Sequence, residues 1–333
     1  LIDMLRILYS WLILLLVLGK SVAQTPRLEA ITIEQGLSQG YVNQILQDRE
    51  GFIWFATQNG LNRYDGYNFK VYKNIPEDPY SLPDNAIMSF QEAGDFLVVQ
   101  TESLGISIFD KASQRFFYFP LDLKSLGYFN TVGIKNSLQF LEIQKQGGRL
   151  FSFHWPDNLA EMAAQGADWR HSYRIDTMRI DMTLNDMVAS ADKKGLWLVS
   201  DQDLAYVDLA SRKISTTALP DKLSGTCKII YKDPGGVWVQ KGSQLAYFNG
   251  AQWKISELDL PEYKDIYVLK GDGGAGYVWI NTGADVWSFD LSNTDTIAPV
   301  LHPEFHLSIP EYAVCYATDS YGNVFLGTDA RGV

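Results

Sequence analysis

The amino-acid sequence predicts an all-β fold: a seven-bladed β-propeller of four-stranded antiparallel blades, with the last blade incomplete. Three observations support this prediction. Aromatic residues make up 13% of the 333 residues, a composition that favours strands. The stretch from Val42 to Tyr72 contains four short apolar segments separated by turn residues. Units like it recur along the chain at the spacing of propeller blades, which is about 40–50 residues.

The first unit is predicted to contain four strands, each bounded by turn residues. Asn59-Gly60 and Asp65-Gly66 are typical of tight hairpin turns, in which both central residues need a positive φ. The fourth strand is predicted to begin at Tyr67. A sheet of this size has two apolar faces, so it needs neighbouring sheets to bury them. The four strands are predicted over residues 42–47, 52–57, 61–64 and 67–72.

Each later unit has a turn ending in glycine, followed two or three positions on by a large residue in an apolar strand. The gaps between these large residues are 43, 54, 46, 41, 41 and 46 residues. The longest gap predicts an insertion, and Asn158 and Glu161 have capping-box spacing for one short surface helix within residues 157–167. A solenoid or a sandwich is disfavoured, because neither repeats a unit of three or four strands seven times. The seven large residues are Trp54, Leu97, Phe151, Trp197, Trp238, Trp279 and Phe325.

The seventh unit is predicted to be incomplete. It contains two strands, at residues 313–318 and 323–328, and residues 331–333 only begin a third. A strand candidate at residues 28–34 precedes the first unit, and ring propellers often close by adding such a strand to the last blade. One added strand leaves the blade short. We therefore expect residues 24–333 to be a propeller truncated at its C-terminus, within a longer polypeptide.

The first 23 residues are predicted to be a signal peptide. Arg6 precedes the apolar run Trp11–Leu18, and Ser21-Val22-Ala23 offers small residues at a cleavage site. The run is shorter than the ~20 residues of a transmembrane helix, which favours cleavage over the alternative of an uncleaved anchor. We therefore expect a periplasmic location for this region.

Composition excludes one class of partner and makes several kinds of site improbable. The net charge of −11 argues against nucleic acid, whose phosphates require a basic surface. Cys227 and Cys315 are predicted to be buried thiols rather than a disulfide, and their spacing does not match a zinc site. His302 and His306 flank Pro303, which disfavours a helix that would bring them together on a metal. We predict no metal, no cofactor and no catalytic residue.

The first unit resembles the regulator-propeller repeat. This resemblance implies the periplasmic sensor half of hybrid two-component histidine kinases of the Bacteroidetes type. In that family a signal peptide leads into two seven-bladed propellers, a small β-sandwich, one membrane helix, a kinase, a receiver and an AraC-type DNA-binding domain. The resemblance thus implies downstream sensor and kinase domains in a longer, inner-membrane-anchored chain. The matching residues are Gly36, Leu37, Ser38, Val42, Ile45, Asp48, Gly51, Ile53, Trp54, Thr57, Gly60, Leu61, Tyr64, Asp65 and Gly66.

The repeat residues are expected to be structural. Asp48 can accept hydrogen bonds from backbone N–H groups of its own turn, and Gly51 closes that turn with a positive φ. Trp54 is expected to fill the space between neighbouring blades. The remaining structural motif residues are Gly60, Leu61, Asp65 and Gly66.

Ligand contacts are predicted on the loops at one end of the central channel, where blades converge. Aromatic rings with amide and hydroxyl partners would suit an oligosaccharide, although each residue could also be a solvated loop residue. A homodimer is a further possible partner. The alternative function is an exported propeller glycosidase or lyase, for which no pair of carboxylates stands out. The candidate ligand contacts are Tyr41, Asn43, Asn85, Asn185 and Tyr312.

Overall fold

The structure of the protein is a computed structural model, which describes part of the chain. The predicted signal peptide and both His302 and His306 lie outside the described residues. The described residues are 29–102, 105–120, 131–143, 148–223, 226–257, 267–268, 277–281, 285–291, 300–301, 307–308 and 312–333.

The first five sheets are four-stranded antiparallel meanders, in which each strand pairs with the next along the chain. Blade 1 contains β1 (Val42–Gln47), β2 (Ile53–Thr57), β3 (Gly60–Tyr64) and β4 (Phe69–Tyr72). Blade 2 contains β5 (Ile87–Ala93), β6 (Phe96–Thr101), β7 (Ile106–Asp110) and β8 (Arg115–Phe119). Blade 3 contains β9 (Thr131–Ile134), β10 (Ser137–Ile143), β11 (Gly148–His154) and β12 (Arg174–Ile180).

The remaining blades follow the same order. Blade 4 contains β13 (Leu184–Ala189), β14 (Gly195–Ser200), β15 (Asp203–Asp208) and β16 (Ile214–Ala218). Blade 5 contains β17 (Lys228–Asp233), β18 (Gly236–Lys241), β19 (Gln244–Phe248) and β20 (Trp253–Glu257). Blade 6 contains β21 (Tyr267–Val268), β22 (Tyr277–Asn281) and β23 (Asp285–Asp290), and both β24 (Val300–Leu301) and β25 (Leu307–Ser308) pair with β23. Blade 7 contains β26 (Ala313–Thr318) and β27 (Val324–Thr328).

The sheets form a closed ring. Strand β1 contacts β5 on one side and β26 on the other, and β5, β9, β13 and β17 follow one another in contact. Seven apolar clusters are buried, and each spans one pair of neighbouring blades, including blade 7 with blade 1. Burial between sheets is therefore the main stabilising contribution, since one sheet cannot cover its own two faces. The predicted seven-bladed propeller with an incomplete last blade is confirmed.

Trp54 shows how a contact between neighbouring blades, here called a seam, is built. Its indole is 1% exposed and lies between blades 1 and 2. The ring stacks on Tyr72 with centroids 5.8 Å apart and meets Phe109 edge-on at 5.5 Å. Leu61 is fully buried in the same cluster. Trp54 and Leu61 are therefore buried packing residues of this seam.

The hairpin turns of blade 1 differ from the prediction. Thr57 pairs with Gly60, so the turn is centred on Gln58 and Asn59, and Gly60 follows them with φ 122°. A Cβ on Gly60 would lie 2.6 Å from the Tyr72 carbonyl oxygen, so both the positive φ and the close approach require glycine. The turn is thus the kind in which a left-handed glycine follows the two central residues.

The second predicted tight turn is a four-residue connection. Tyr64 pairs with Phe69, and Asp65 Oδ1 accepts hydrogen bonds from the N–H groups of Tyr67 (2.9 Å) and Asn68 (2.7 Å). Tyr67 is 89% exposed and lies in this turn, so β4 begins at Phe69 and the prediction that it begins at Tyr67 is wrong. Because the Asp65 carboxylate accepts hydrogen bonds from two N–H groups of the turn, the connection contains four residues and not two.

The anchor predicted for blade 3 is also wrong. Phe151 lies on β11, the third strand, whereas the other predicted anchors lie on second strands. The first turn of blade 3 is Lys135-Asn136, and Lys135 adopts φ 50°. Leu138 follows this turn as Leu97 follows the first turn of blade 2. The extra residues therefore lie after the third strand of blade 3.

The insertion contains the predicted short helix, α1 (Leu159–Ala164), and a 3-10 turn at Trp169–His171. Asn158 precedes α1, but its side chain makes no capping hydrogen bond. Leu159 and Trp169 are buried in the seam of blades 2 and 3. The helix is held by packing against this seam, which explains its formation without a capping box.

Segment 29–36 closes the ring. Ile31 and Val333 exchange two backbone hydrogen bonds, of 2.7 and 3.0 Å. In blade 1, the corresponding pair is Leu61 with Tyr72 on the outer strand, so Ile31 occupies the outer-strand position of blade 7. The predicted strand over residues 28–34 is only partly correct, since Ile33–Gln35 forms a 3-10 turn capped by Thr32.

Two further observations concern the whole of the described chain. Cys227 and Cys315 are both buried and free, as predicted. In the described part of the chain, no helix has the length and apolar character needed to cross a membrane.

Candidate functional site

The first turn of blade 1 is organised by Asp48. Its Oδ1 accepts hydrogen bonds from the N–H groups of Glu50 and Phe52, both at 3.0 Å, and its Oδ2 accepts one from the Trp54 indole at 2.8 Å. Gly51 completes the turn with φ 93°. Asp48 is 4% exposed, so these donors compensate the cost of burying its charge. Asp48 and Gly51 thus form the turn that precedes β2.

A lysine from the neighbouring blade reaches the same turn. Lys111 follows β7, and its ammonium lies 2.8 Å from Glu92, 3.4 Å from Glu50 and 3.6 Å from Asp48. Only 5% of the Lys111 side chain is exposed. The lysine is therefore a structural clamp across the seam of blades 1 and 2, held by three carboxylates.

The predicted ligand contacts all lie at or just before first strands, and two of them bind other parts of the fold. Asn43 Nδ2 donates to the Ile87 carbonyl oxygen at 2.7 Å, across the seam to β5. Asn85 Oδ1 accepts from the Asn74 N–H at 2.7 Å, within the loop that joins blades 1 and 2. Both amides support the packing of the blades.

The remaining three candidates are more accessible. Asn185 Nδ2 donates to Asp201 Oδ1 at 2.8 Å in an exposed pair. Tyr41 is half-buried just before β1, and Tyr312 is 38% exposed just before β26. Because β1 and β26 are neighbours in the ring, Tyr41 and Tyr312 precede adjacent inner strands at the same end of the channel.

Gln44 is a seam residue that the sequence did not single out. Its Oε1 accepts the Phe90 N–H at 3.0 Å and its Nε2 donates to the Phe90 carbonyl at 2.9 Å. An amide side chain thereby pairs with one residue of β5 as a neighbouring strand would. The sequence feature that could have identified Gln44 is its position on the first strand, beside Asn43.

A cavity at the outer edge of blade 2, called the rim pocket, has a volume of about 230 Å³. Loop 73–86 crosses this edge, where the Phe116 N–H donates to the Tyr80 carbonyl at 2.8 Å. The insertion of blade 3 covers the edge from the other side, with Trp169 packed on Phe117 at 5.2 Å. The residues that line the pocket include Pro76, Asp78, Pro79, Tyr118, Trp169 and Arg170.

Two polar side chains line the rim pocket with opposite charges. The Arg170 guanidinium lies over the Trp169 ring, 4.5 Å from its centroid, and takes part in no ion pair with any residue in the described ranges. Asp78 Oδ1 accepts the Tyr80 N–H at 2.9 Å, which orients the carboxylate at its own turn. A cation held by an indole and a carboxylate held by its turn form a preorganised polar pair.

Hydrogen bonds within turns also lower the pKa values of two aspartates, Asp65 and Asp168. The N–H groups of Asn68 and then Tyr67 lower the pKa of Asp65 below its ordinary value. The hydrogen bond from His171, 2.8 Å away, followed by that from the Arg170 N–H, lowers the pKa of Asp168. These exposed carboxylates are turn acceptors, and their lowered pKa values do not indicate catalysis.

The two histidines within the described chain have carboxylate partners. His154 Nε2 lies 3.4 Å from Asp176, which also binds Arg174 at 3.0 Å, and His171 binds Asp168. Burial, followed by the charge of Arg174, lowers the pKa of His154. Within the described ranges, no group of three or more histidine, cysteine, aspartate or glutamate side chains could hold a metal ion.

Comparison with known sequences supports the repeat. Residues 36–59 match the family model described as two component regulator propeller. Histidine kinase P4 of Formosa agariphila is 46% identical over 54 residues, which cover 16% of this chain and 4% of that protein. The shared stretch is thus a small part of a much longer kinase.

Solved structures share the architecture. The extracellular domain of the hybrid two component system BT3049 from B. thetaiotaomicron superposes with a TM-score of 0.56 at 21% identity, covering 92% of this chain and 41% of that one. The corresponding domain of BT4673 gives 0.64 at 16% identity, covering 91% and 42%. YCF48 bound to D1 peptide gives 0.59 at 13% identity, covering 94% and 97%. The chain spans less than half the length of the two extracellular domains.

The fold and its seams define a β-propeller whose seven sheets close into a ring. Its first blade contains the two component regulator propeller repeat, so the resemblance inferred from that unit is confirmed. Every repeat residue described above has a structural role in a turn or a seam.

Proposed function

We propose that this chain is an extracytoplasmic sensor or interaction propeller of a two-component signal-transduction system that responds to an oligosaccharide and catalyses no reaction. The match of residues 36–59 to the two component regulator propeller is the observation that supports this most. The likeness to a histidine kinase and to extracellular domains of hybrid two component systems adds to it. The predicted ligand contacts are Tyr41, Asn43, Asn85, Asn185 and Tyr312, of which Tyr41 and Tyr312 are favoured by their position.

The proposal includes a longer polypeptide. Residues 1–23 act as a signal peptide, and the chain continues into further sensor domains, a membrane anchor and a kinase, with a homodimer as the signalling unit. The likeness to a histidine kinase, and to extracellular domains of which this chain spans less than half, supports this. Reading the coding sequence beyond Val333 tests it: further blades, a membrane helix and a kinase are expected, and their absence would contradict the sensor assignment.

Binding and turnover separate this function from the alternative of an exported glycosidase or lyase. Purified residues 24–333 are titrated calorimetrically with plant and host oligosaccharides, and reducing ends are assayed in the same mixtures. Saturable binding with no new reducing ends is expected. Steady turnover would establish the enzyme instead.

A further inference from the structure

We propose that the rim pocket binds one ring of a neutral saccharide, with Asp78 and Arg170 as its polar contacts. This inference rests on the proposed function and adds a saccharide contact at the outer edge of blade 2, apart from the channel mouth. The pocket brings together loop 73–86, strand β8 and the insertion of blade 3. Its residues are far apart in sequence and meet only in the folded ring.

Size limits the occupant. The pocket volume of about 230 Å³ lies below the ~300–1,000 Å³ typical of sites that enclose a drug-sized ligand. A single sugar ring therefore suits it better than an extended chain would. Adjoining sugar units would leave the pocket across the exposed residues of loop 73–86.

Charge selects a neutral ligand. Asp78 supplies an acceptor and Arg170 supplies donors at the same pocket. An anion would be repelled by Asp78 and a cation by Arg170, whereas sugar hydroxyl groups both donate and accept. The net charge of −11 further disfavours an acidic polysaccharide.

The pocket walls suit the C–H faces of a sugar ring. Pro76 and Pro79 supply rigid apolar surface, and Tyr118 adds an aromatic ring. Trp169 is 2% exposed and packs on Phe117 and Phe119, so it fixes Arg170 from below rather than contacting the ligand. Little side-chain entropy is lost on binding, because the apolar walls and the guanidinium are already held in place.

Arg170→Gln and Asp78→Asn test the pocket. Both positions are exposed, so thermal melts of the two variants should match the parent protein. Calorimetric titration uses neutral xylo-, gluco-, manno- and galacto-oligosaccharides of two to four units, with galacturonides as the acidic counterparts. We expect a neutral oligosaccharide to bind the parent. Arg170→Gln should weaken that binding by at least about tenfold, as for loss of a hydrogen bond to a charged group, and Asp78→Asn should weaken it less.

Two control variants make the result specific. Arg212→Gln removes another exposed arginine, which lies 3.6 Å from Asp176 beside blade 3, and should leave affinity unchanged. Tyr41→Ala probes the channel mouth, where the proposed function places a ligand contact, and separates a contact there from one at the rim pocket. If Tyr41→Ala abolishes binding and Arg170→Gln does not, the pocket assignment is wrong while the proposed function stands. Tighter binding of galacturonides would overturn the neutral class, and a parent that binds nothing in the panel would count against both proposals.

Discussion

Blades 1 and 7 contain the same turn in two environments. Asp48 and Asp319 each accept hydrogen bonds from the N–H groups two and four residues later. The second carboxylate oxygen is satisfied by the Trp54 indole in blade 1 and by Asn323 Nδ2, at 2.8 Å, in blade 7. The turn geometry is therefore shared, whereas the partner of the second oxygen depends on the local side chains, since blade 7 has Phe325 where blade 1 has Trp54.

The seam between blades 1 and 2 and the seam between blades 7 and 1 have the same spacing between sheets. The Gly60 N–H donates to the Asn85 carbonyl at 2.7 Å, and the Gly332 N–H donates to the Gly40 carbonyl at 2.8 Å. Each acceptor lies two residues before the inner strand of the next blade. Blade 7 thus docks on blade 1 as blade 1 docks on blade 2, but only the latter seam has the buried Lys111 clamp. Apolar stacking and turn contacts are sufficient to set blade spacing, and the ionic clamp adds to one seam.

Replacing Trp54 and Phe325 by alanine should give the largest difference in stability between the two seams. Trp54→Ala should lower the free energy of unfolding by about 3–5 kcal/mol, because it leaves a large cavity and also unpairs buried Asp48. Phe325→Ala should cost about 2 kcal/mol, since Phe325 is only half-buried against Phe55. Urea denaturation measures both, and Trp54→Phe serves as the conservative control. Equal costs would show that the two seams are equally packed.

Removing the clamp should be the next largest effect. Lys111→Met should destabilise the protein by about 3 kcal/mol, because Asp48 and Glu92 lose a buried cation. Adding Glu92→Gln should recover part of the loss. The double variant is compared with both single variants by denaturant unfolding. Additive losses would mean that the ammonium and Glu92 do not interact.

Alanine at the two turn glycines tests whether blade 7 closes as blade 1 does. Gly60→Ala and Gly332→Ala should each cost about 1–2 kcal/mol, since φ is 122° and 100° at these positions. A Cβ at Gly332 would also meet the Ile31 carbonyl oxygen at 2.2 Å. Thermal melts give the comparison, with Gly51→Ala as a control that has a positive φ and open space around it. A neutral Gly332→Ala would show that Ile31 is not held against Val333.

The smallest expected effect concerns the Asp65 turn, which has no counterpart in the described part of blade 7. Because the pKa of Asp65 is lowered in the folded protein, its contribution to stability is present above the ordinary aspartate pKa of 3.8 and is lost as pH falls through the folded pKa. Asp65→Asn should therefore flatten the loss of stability in acid. Carboxyl NMR titration of Asp65 gives the direction directly, and an unshifted midpoint would refute it.

Sequence reasoning succeeded where the repeat signal is local and failed where partners are distant. The turn of Asp48, Gly51 and Trp54 was predictable because the hydrogen bonds that Asp48 accepts all come from within seven residues. The role of Asn43 was not predictable, because the carbonyl that it binds belongs to Ile87 in the next blade. Blade 3 was misassigned because Lys135 replaces the usual turn glycine, so glycine spacing pointed to the wrong strand.

The rim pocket was beyond prediction for a related reason. Asp78 and Arg170 belong to a loop after blade 1 and an insertion in blade 3, and only the covered outer edge of blade 2 brings them together. Neither residue matches the repeat. A helix was predicted in the insertion from the spacing of Asn158 and Glu161, yet packing rather than capping holds it.

The pairing of Ile31 with Val333 imposes an order on folding. Ile31 is synthesised early, but its backbone partner is Val333, so the contact has the greatest sequence separation of any strand pairing described above. Blades 1 to 5 are local meanders that can form as the chain emerges, whereas closure must wait for residue 333. Segment 29–36 is thus secured only after Val333 has been synthesised, and ring closure should be the slow, entropically costly step of folding.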